Sequence, residues 1–181
     1  GRQLMLSMEQ IAATEDPVAR AALLPALELL ETSAFSNEGR SITSKLGAVK
    51  CVLAVLEAQS SQPEIVSQCS RTLQAIVTSA DVTKVVSRLQ AKLEEPSTGL
   101  RAAPNNEAVI TAVSDDVKKL GLLMMCGDFS DVIQKSGGVQ TVVDIVTVAE
   151  EAAAAVVGEE DPSATARDAL VRNCITAFGR A

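Results

Sequence analysis

The chain has 181 residues, 47% of them hydrophobic and 22% charged, with a formal charge of −7; this balance excludes disorder and collagen-like repeats and allows one domain or a small repeat array. Histidine, tryptophan and tyrosine are absent, which removes the neutral-pH proton shuttle, Ser-His and Cys-His nucleophiles, imidazole metal ligands and platforms for stacking bases. Catalysis is not expected, and neither is nucleic-acid binding, which the negative charge also opposes.

In chain order, the N-terminal stretch reads as a helical half unit. Asp16-Pro17 sets a carboxylate cap before a proline whose missing N–H costs nothing in a first turn, so a helix is predicted over residues 17–32, kinked at Pro25. A short helix carrying Ile42 and Lys45 leads to Gly47-Ala48-Val49, and Val52, Leu53 and Leu56 extend an i, i+3, i+4, i+7 stripe from Val49. Residues 57–62 read as an exposed connection. Ser61 and Glu64 have capping-box spacing around Pro63, which predicts a helix over 63–77. Asp81 stands as an N-cap before a second stripe, Val82, Val85, Val86 and Leu89. That stripe begins 33 residues after Val49, too soon for a full short helix ahead of it. Residues 94–104 read as a further exposed connection, followed by a helix over 105–125. Val132 and Lys135 then match Ile42 and Lys45, and Gly137-Gly138-Val139 with Val142, Val143 and Val146 repeats the first stripe 90 residues on. A loop at 158–161 and the pair Asp161-Pro162 precede a last helix over 162–178.

No segment alternates with period two, so the fold class is all-α. A helix pair with one apolar face cannot cover that face alone, so neighbours must stack, which is the logic of an α-solenoid. Units of about 45 residues with a short helix, a Gly at a sharp corner and Gly-Ala-Val or Gly-Gly-Val opening the next helix resemble the armadillo-repeat family. The resemblance implies an α-solenoid of three to four armadillo-like helical repeats over residues 1–181, with approximate units 1–34, 35–79, 80–126 and 127–181. HEAT-type and other armadillo-like solenoids fit the same pattern, and so do ordinary helix caps in a non-repetitive bundle. The corner itself has a mechanical requirement that Gly47 and Gly137 meet: φ > 0 or close backbone approach.

Armadillo proteins of the nuclear-import type hold extended peptides with a ladder of asparagines on each third helix and a tryptophan one turn earlier. Alignment on the helix ends puts Leu29, Ala75, Leu122 and Ala177 at the ladder positions, and Pro25, Arg71, Lys118 and Asn173 one turn before them. No asparagine ladder and no tryptophan is present, so the resemblance does not carry import-receptor function with it. The candidate partner-binding residues on that surface are Arg71, Lys118, Lys119, Arg172 and Asn173, a partly basic set suited to an acidic, carboxylate-bearing segment of a partner protein. The plain alternative is a solvated helix face with its usual Lys and Arg.

Other candidate chemistry has structural readings. The acidic pairs Glu94-Glu95, Asp115-Asp116, Glu150-Glu151 and Glu159-Glu160-Asp161 lack aromatic sugar platforms and read as solvated edges. Ser136-Gly137-Gly138 lacks the lysine of a phosphate loop. Met124-Met125-Cys126 reads as core rather than a soft-metal site, and residues 152–155, all alanine, as a close-packing helix face. Cys51, Cys69, Cys126 and Cys174 lie 18, 57 and 48 positions apart, with no CxxC and no ligand spacing; they read as buried hydrophobes in a reducing compartment. The longest uncharged apolar runs, 120–126 and 152–158, have seven residues each, so no membrane insertion is expected. Gly1 in place of Met is expected of an excised segment or a processed chain with no targeting peptide left to read.

The expected function is a non-enzymatic scaffold binding a partner protein segment, without cofactor or metal. The alternative is a structural subunit of a larger cytoskeletal, ciliary or organellar complex. The expected location is cytoplasmic, or else ciliary, cytoskeletal or organellar matrix.

Overall fold

The computed structural model describes residues 2–14, 16–156 and 162–179, and within them all regular structure is helical. The first helix is α1 (Arg2–Ala12), followed by α2 (Pro17–Ala21), α3 (Leu23–Ser33), α4 (Asn37–Lys45), α5 (Ala48–Ala58) and α6 (Pro63–Ile76). After these come α7 (Ser79–Glu94), α8 (Glu107–Met124), α9 (Gly127–Lys135), α10 (Gly138–Ala155) and α11 (Ala164–Phe178). None of these helices is long and apolar enough to cross a membrane. The loop at 158–161, the acidic run Glu159-Glu160-Asp161 and the Asp161 cap lie outside the described residues.

Side-chain caps open α2, α4 and α8. Asp16 Oδ1 accepts the Val18 amide at 2.9 Å, Ser36 Oγ accepts the Gly39 amide at 2.9 Å, and Asn106 Oδ1 accepts from Ala108 and Val109. The predicted helix over 17–32 is two helices, and the interruption sits at Ala22 rather than at Pro25. A proline lacks the N–H that would bond the carbonyl four residues back, and its ring crowds that carbonyl. The discontinuity therefore falls on Ala21 and Ala22, and Pro25 is accommodated in the first turn of α3. Ser61 forms no capping box: the helix begins at Pro63, with Gln62 at the cap position making no side-chain cap bond. Asp81 lies inside the first turn of α7 rather than ahead of it.

The chain divides into two compact units, Gly1–Thr78 and Ser79–Ala181. In the first, α5 is the central helix, buried through Cys51, Val52, Leu53, Val55 and Leu56 because α1, α4 and α6 all pack on it. α3 lies against α6 and α1, contributing Leu23, Leu27 and Leu30. Each such aliphatic side chain is worth roughly 1.5–3 kcal/mol on full burial. α1 and α5 run parallel: Cys51 Sγ reaches Met5 O across 46 residues, and Gln59 Nε2 donates to Ala12 O across 47. Thr72 Oγ1 on α6 donates to Leu27 O on α3 across 45. Gln59 is thus buried in a stretch expected to be an exposed connection, because its amide satisfies an end carbonyl of α1.

Apart from α2, which has no counterpart, the second unit follows a similar order of helices and shares several packing pairs. α7 packs on α10 as α1 does on α5, α8 on α11 as α3 does on α6, and α9 on α8 and α10 as α4 does on α3 and α5. Gly47 and Gly137 have φ of 85° and 79°, and their corners match bond for bond. Gly47 N donates to Ser44 O and Cys51 N to Gly47 O in one, Gly137 N to Gln134 O and Thr141 N to Gly137 O in the other. The burial is less alike. α10 buries Val142, Ile145 and Val148, while Val143 is 42% exposed and Val146 half-buried, so the predicted second stripe is rotated on its helix. α10 has α7, α9 and α11 as packing neighbours, as α5 has α1, α4 and α6, but they cover the face carrying Val142, Ile145 and Val148 and leave Val143 partly in solvent. Only Ala152 of the 152–155 run is buried. The stretch 94–104 is not simply exposed either: Leu100 is 1% exposed, and the Leu100 and Arg101 amides bond the Lys92 and Leu93 carbonyls at the end of α7.

α8 and α11 approach most closely at Gly121, where an added Cβ would stand 2.8 Å from Ala177 Cβ. Alanine exceeds glycine by about 1 kcal/mol in a helix interior, yet the overlap sets the sign here. Gly121→Ala is expected to destabilise the protein by about 1–3 kcal/mol in urea unfolding. A midpoint at or above that of the wild type would contradict this packing.

Candidate functional site

The five candidate residues fall into separate surroundings. Arg71 is exposed on α6 in the first unit; its Nη2 donates to Gln68 Oε1, and Gln68 Nε2 donates to Glu31 Oε2 of α3 at 2.7 Å. The other four lie on α8 and α11 in the second unit. Asn173 Nδ2 donates to Ser114 Oγ at 2.8 Å, and Lys118, one helical turn beyond Ser114, shares that face of α8. The closely packed pair Gly121 and Ala177 continues in the same direction, so α8 and α11 run parallel with Lys118 beside Asn173. Arg172 opens on a shallow groove of about 440 Å³ between α10 and α11, where Glu150 and Asp168 oppose its charge. The ladder positions do not share an open surface. Leu122 and Ala177 are buried, a consequence of the close approach at Gly121, whereas Leu29 is 56% exposed.

Lys119 turns away from Lys118 toward a cluster that sequence reading passed over. Asp116, expected on a solvated acidic edge with Asp115, has a side chain only 3% exposed. Arg88 of α7 grips it bidentately, Nη2 to Oδ1 at 2.8 Å and Nε to Oδ2 at 3.1 Å. Lys92, one turn along α7, places Nζ 2.7 Å from Oδ2 and also donates to Ala112 O at 3.0 Å. Lys119 Nζ lies 3.5 Å from Oδ1. Burial pushes the Asp116 carboxyl up, but the hydrogen bonds from Lys92 and Arg88, with their charges, outweigh it and hold the carboxyl below its usual range. The signal available in the sequence was the i, i+4, i+8 spacing of Lys84, Arg88 and Lys92, which puts three cations on one face of α7. What it lacked was the acid that α8 brings to them.

A second buried polar junction holds the start of α11. Arg167, 4% exposed, donates from Nη2 to Asn105 Oδ1 and Ser163 Oγ, both at 2.7 Å, tying the segment before α8 to α11. All four cysteines are buried thiols. Burial, with Glu9 nearby, pushes the Cys51 thiol up to about 11, and burial alone pushes Cys174 up to about 12. Neither is poised as a thiolate nucleophile at neutral pH.

No family model and no curated protein matches the sequence, and no solved structure matches the fold.

Two outcomes follow from these surroundings. Because Asp116 has a lowered folded-state pKa, its stabilisation is fully present above the unfolded value of about 3.9 and is lost as pH falls through the folded value. Asp116→Asn is expected to cost about 1–3 kcal/mol at neutral pH and to flatten the acid side of a stability-against-pH curve from urea melts. An unchanged acid limb would remove Asp116 from that role. In native buffer the four thiols should react with a thiol reagent only at the rate of unfolding, all becoming reactive in denaturant; fast native labelling of Cys51 or Cys174 would contradict their burial.

Proposed function

We propose that the chain is a non-enzymatic, armadillo-like α-solenoid that acts as a scaffold, binding an acidic segment of a partner protein along its stacked helices. The observation carrying this reading is the parallel layering of equivalent helices. α1 and α5 are in register at 46 and 47 residues and α3 and α6 at 45, close to one armadillo-type repeat of about 40–47 residues. The two left-handed glycine corners support the same architecture. On this reading α1–α3, α4–α6, α7–α8 and α9–α11 are successive repeats, and the third lacks its short first helix, in keeping with the short interval before α7.

A layered array exposes rows of side chains at regular spacing, which suits an extended segment better than a compact ligand. In the second unit Lys118 beside Asn173 favours carboxylates on a chain whose overall charge is −7, while Lys119 joins the Asp116 cluster and Arg172 opens on its own groove. Arg71, in the first unit, is a separate cationic candidate for the same chemistry. Buried thiols suit a reducing, cytoplasmic setting. A second reading, a structural subunit of a larger assembly, draws support from exposed apolar side chains: Phe35 is 74% exposed and Ile175 64%.

A labelled peptide rich in Glu and Asp, titrated by fluorescence anisotropy, separates these readings. Binding should weaken with salt, and Lys118→Glu or Arg71→Glu should each reduce affinity about five- to tenfold. Affinity untouched by either change would remove the cationic row from the function. A chain that elutes as a concentration-dependent oligomer and ignores the peptide would favour the structural subunit.

A further inference from the structure

The Arg88, Lys92 and Lys119 cluster holds more positive charge than its internal partner needs. Three cationic head groups converge within 3.5 Å of one carboxylate, leaving two positive charges in excess. The side chains remain open to solvent, Arg88 being 53% exposed, while the acid is buried beneath them. Asp116 thereby acts as a fixed template: it restrains three otherwise mobile cations at one point of the surface, so that a ligand meets them with little further ordering. Lys84, one turn before Arg88 on α7, is 79% exposed and faces Asp81 at 3.8 Å; Asp115 is exposed on α8 beside the cluster.

We infer that this cluster is the docking point for a phosphorylated serine or threonine within the acidic segment of the partner protein. The inference rests on the scaffold reading and names the chemistry that one part of the surface selects. Two arguments favour a phosphoryl group over further carboxylates. The excess charge is concentrated at a single point, and a phosphomonoester brings about −1.5 to −2 in one compact group at neutral pH. Successive carboxylates of an extended segment point to opposite sides and cannot both reach that point. The guanidinium of Arg88 is also suited to oxyanion recognition through its planar fork of donors. Lys119 follows Lys118 on α8 but faces α7, so a segment seated at Lys118 and Asn173 reaches the cluster by crossing α8 toward α7.

The test compares one acidic peptide carrying serine with the same peptide carrying phosphoserine, titrated by anisotropy against the full chain, with inorganic phosphate as a separate ligand. Phosphorylation is expected to tighten binding about tenfold in the wild type, and Arg88→Gln or Lys119→Gln to cut that gain to about twofold or less. Lys84→Gln should leave the gain in place. Arg88→Gln weakens the grip on Asp116, so its fold is checked by its urea midpoint; Lys119→Gln, more loosely held, supplies an independent reading if Arg88→Gln unfolds. No gain on phosphorylation overturns the proposal, as does a full gain retained in both variants or inorganic phosphate binding as tightly as the phosphopeptide. If the unmodified peptide binds and responds to Lys118→Glu while phosphorylation adds nothing, the scaffold reading stands and this proposal alone falls.

Discussion

Helix packing in this chain is almost wholly aliphatic, and that constraint governs the rest of the structure. Phe129 is the one buried aromatic side chain among the described residues; the cores are otherwise built from Leu, Val, Ile, Ala, Met and Cys. Short side chains bury little area unless the helix axes come close, and a neighbouring helix offers a complementary apolar face at the right spacing. The pairs α1 with α5 and α8 with α11 follow from this, and the absence of a Cβ at Gly121 permits the second. The same economy explains the two glycine corners. A helix that must turn sharply within two residues to lay its stripe on a neighbour needs a left-handed residue, and Gly47 and Gly137 supply it.

Against this apolar frame, polar groups inside each unit act as localised ties. Gln59 closes the end of α1, Asn173 joins α11 to α8 through Ser114, and Arg167 fastens the start of α11 to Asn105. Each satisfies a group that packing would otherwise leave without a partner, and Gln59 and Arg167 are buried for that reason although their residue types are usually exposed. Asp116 is the most consequential of them. Its carboxylate is tolerated in the interior because Arg88 and Lys92 provide charge-assisted hydrogen bonds from α7, and the half-exposed positions of those cations keep the desolvation penalty low. The tie between α7 and α8 is therefore also a surface feature: the acid lies below, and the cations face water.

That arrangement bears on the proposed function. A chain of net charge −7 repels acidic partners at long range, so the proposed recognition of an acidic segment would require positive charge concentrated locally and held in place. Parallel stacking of α8 and α11 sets Lys118 next to Asn173, and the buried carboxylate gathers Arg88, Lys92 and Lys119 beside them. Neither arrangement needs a histidine, a metal or a cofactor. Under the proposed scaffold function, both would place recognition on surface side chains rather than in a pocket.

The residue pattern alone was enough for the all-helical class, the 90-residue recurrence around Gly47 and Gly137, the cap at Asp16 and the inward placement of the cysteines. These are local or periodic properties, set by backbone sterics, capping geometry and the spacing of apolar side chains. It was insufficient wherever the outcome hinged on what another helix brought to the same place. Val143 belongs to an apolar stripe yet stays in part exposed, because its burial depends on which face of α10 its neighbours cover. Pro25 displaced the break to Ala22, because a proline acts on the carbonyl four residues behind it. Asp116 looked like half of an acidic edge and became the buried centre of a cationic cluster, because Arg88 and Lys92 lie some 28 and 24 residues away along the chain and meet it only when α7 packs on α8. Helix content and corners are written in short-range sterics; which charges meet, and which apolar faces are covered, is decided by packing between elements distant in sequence.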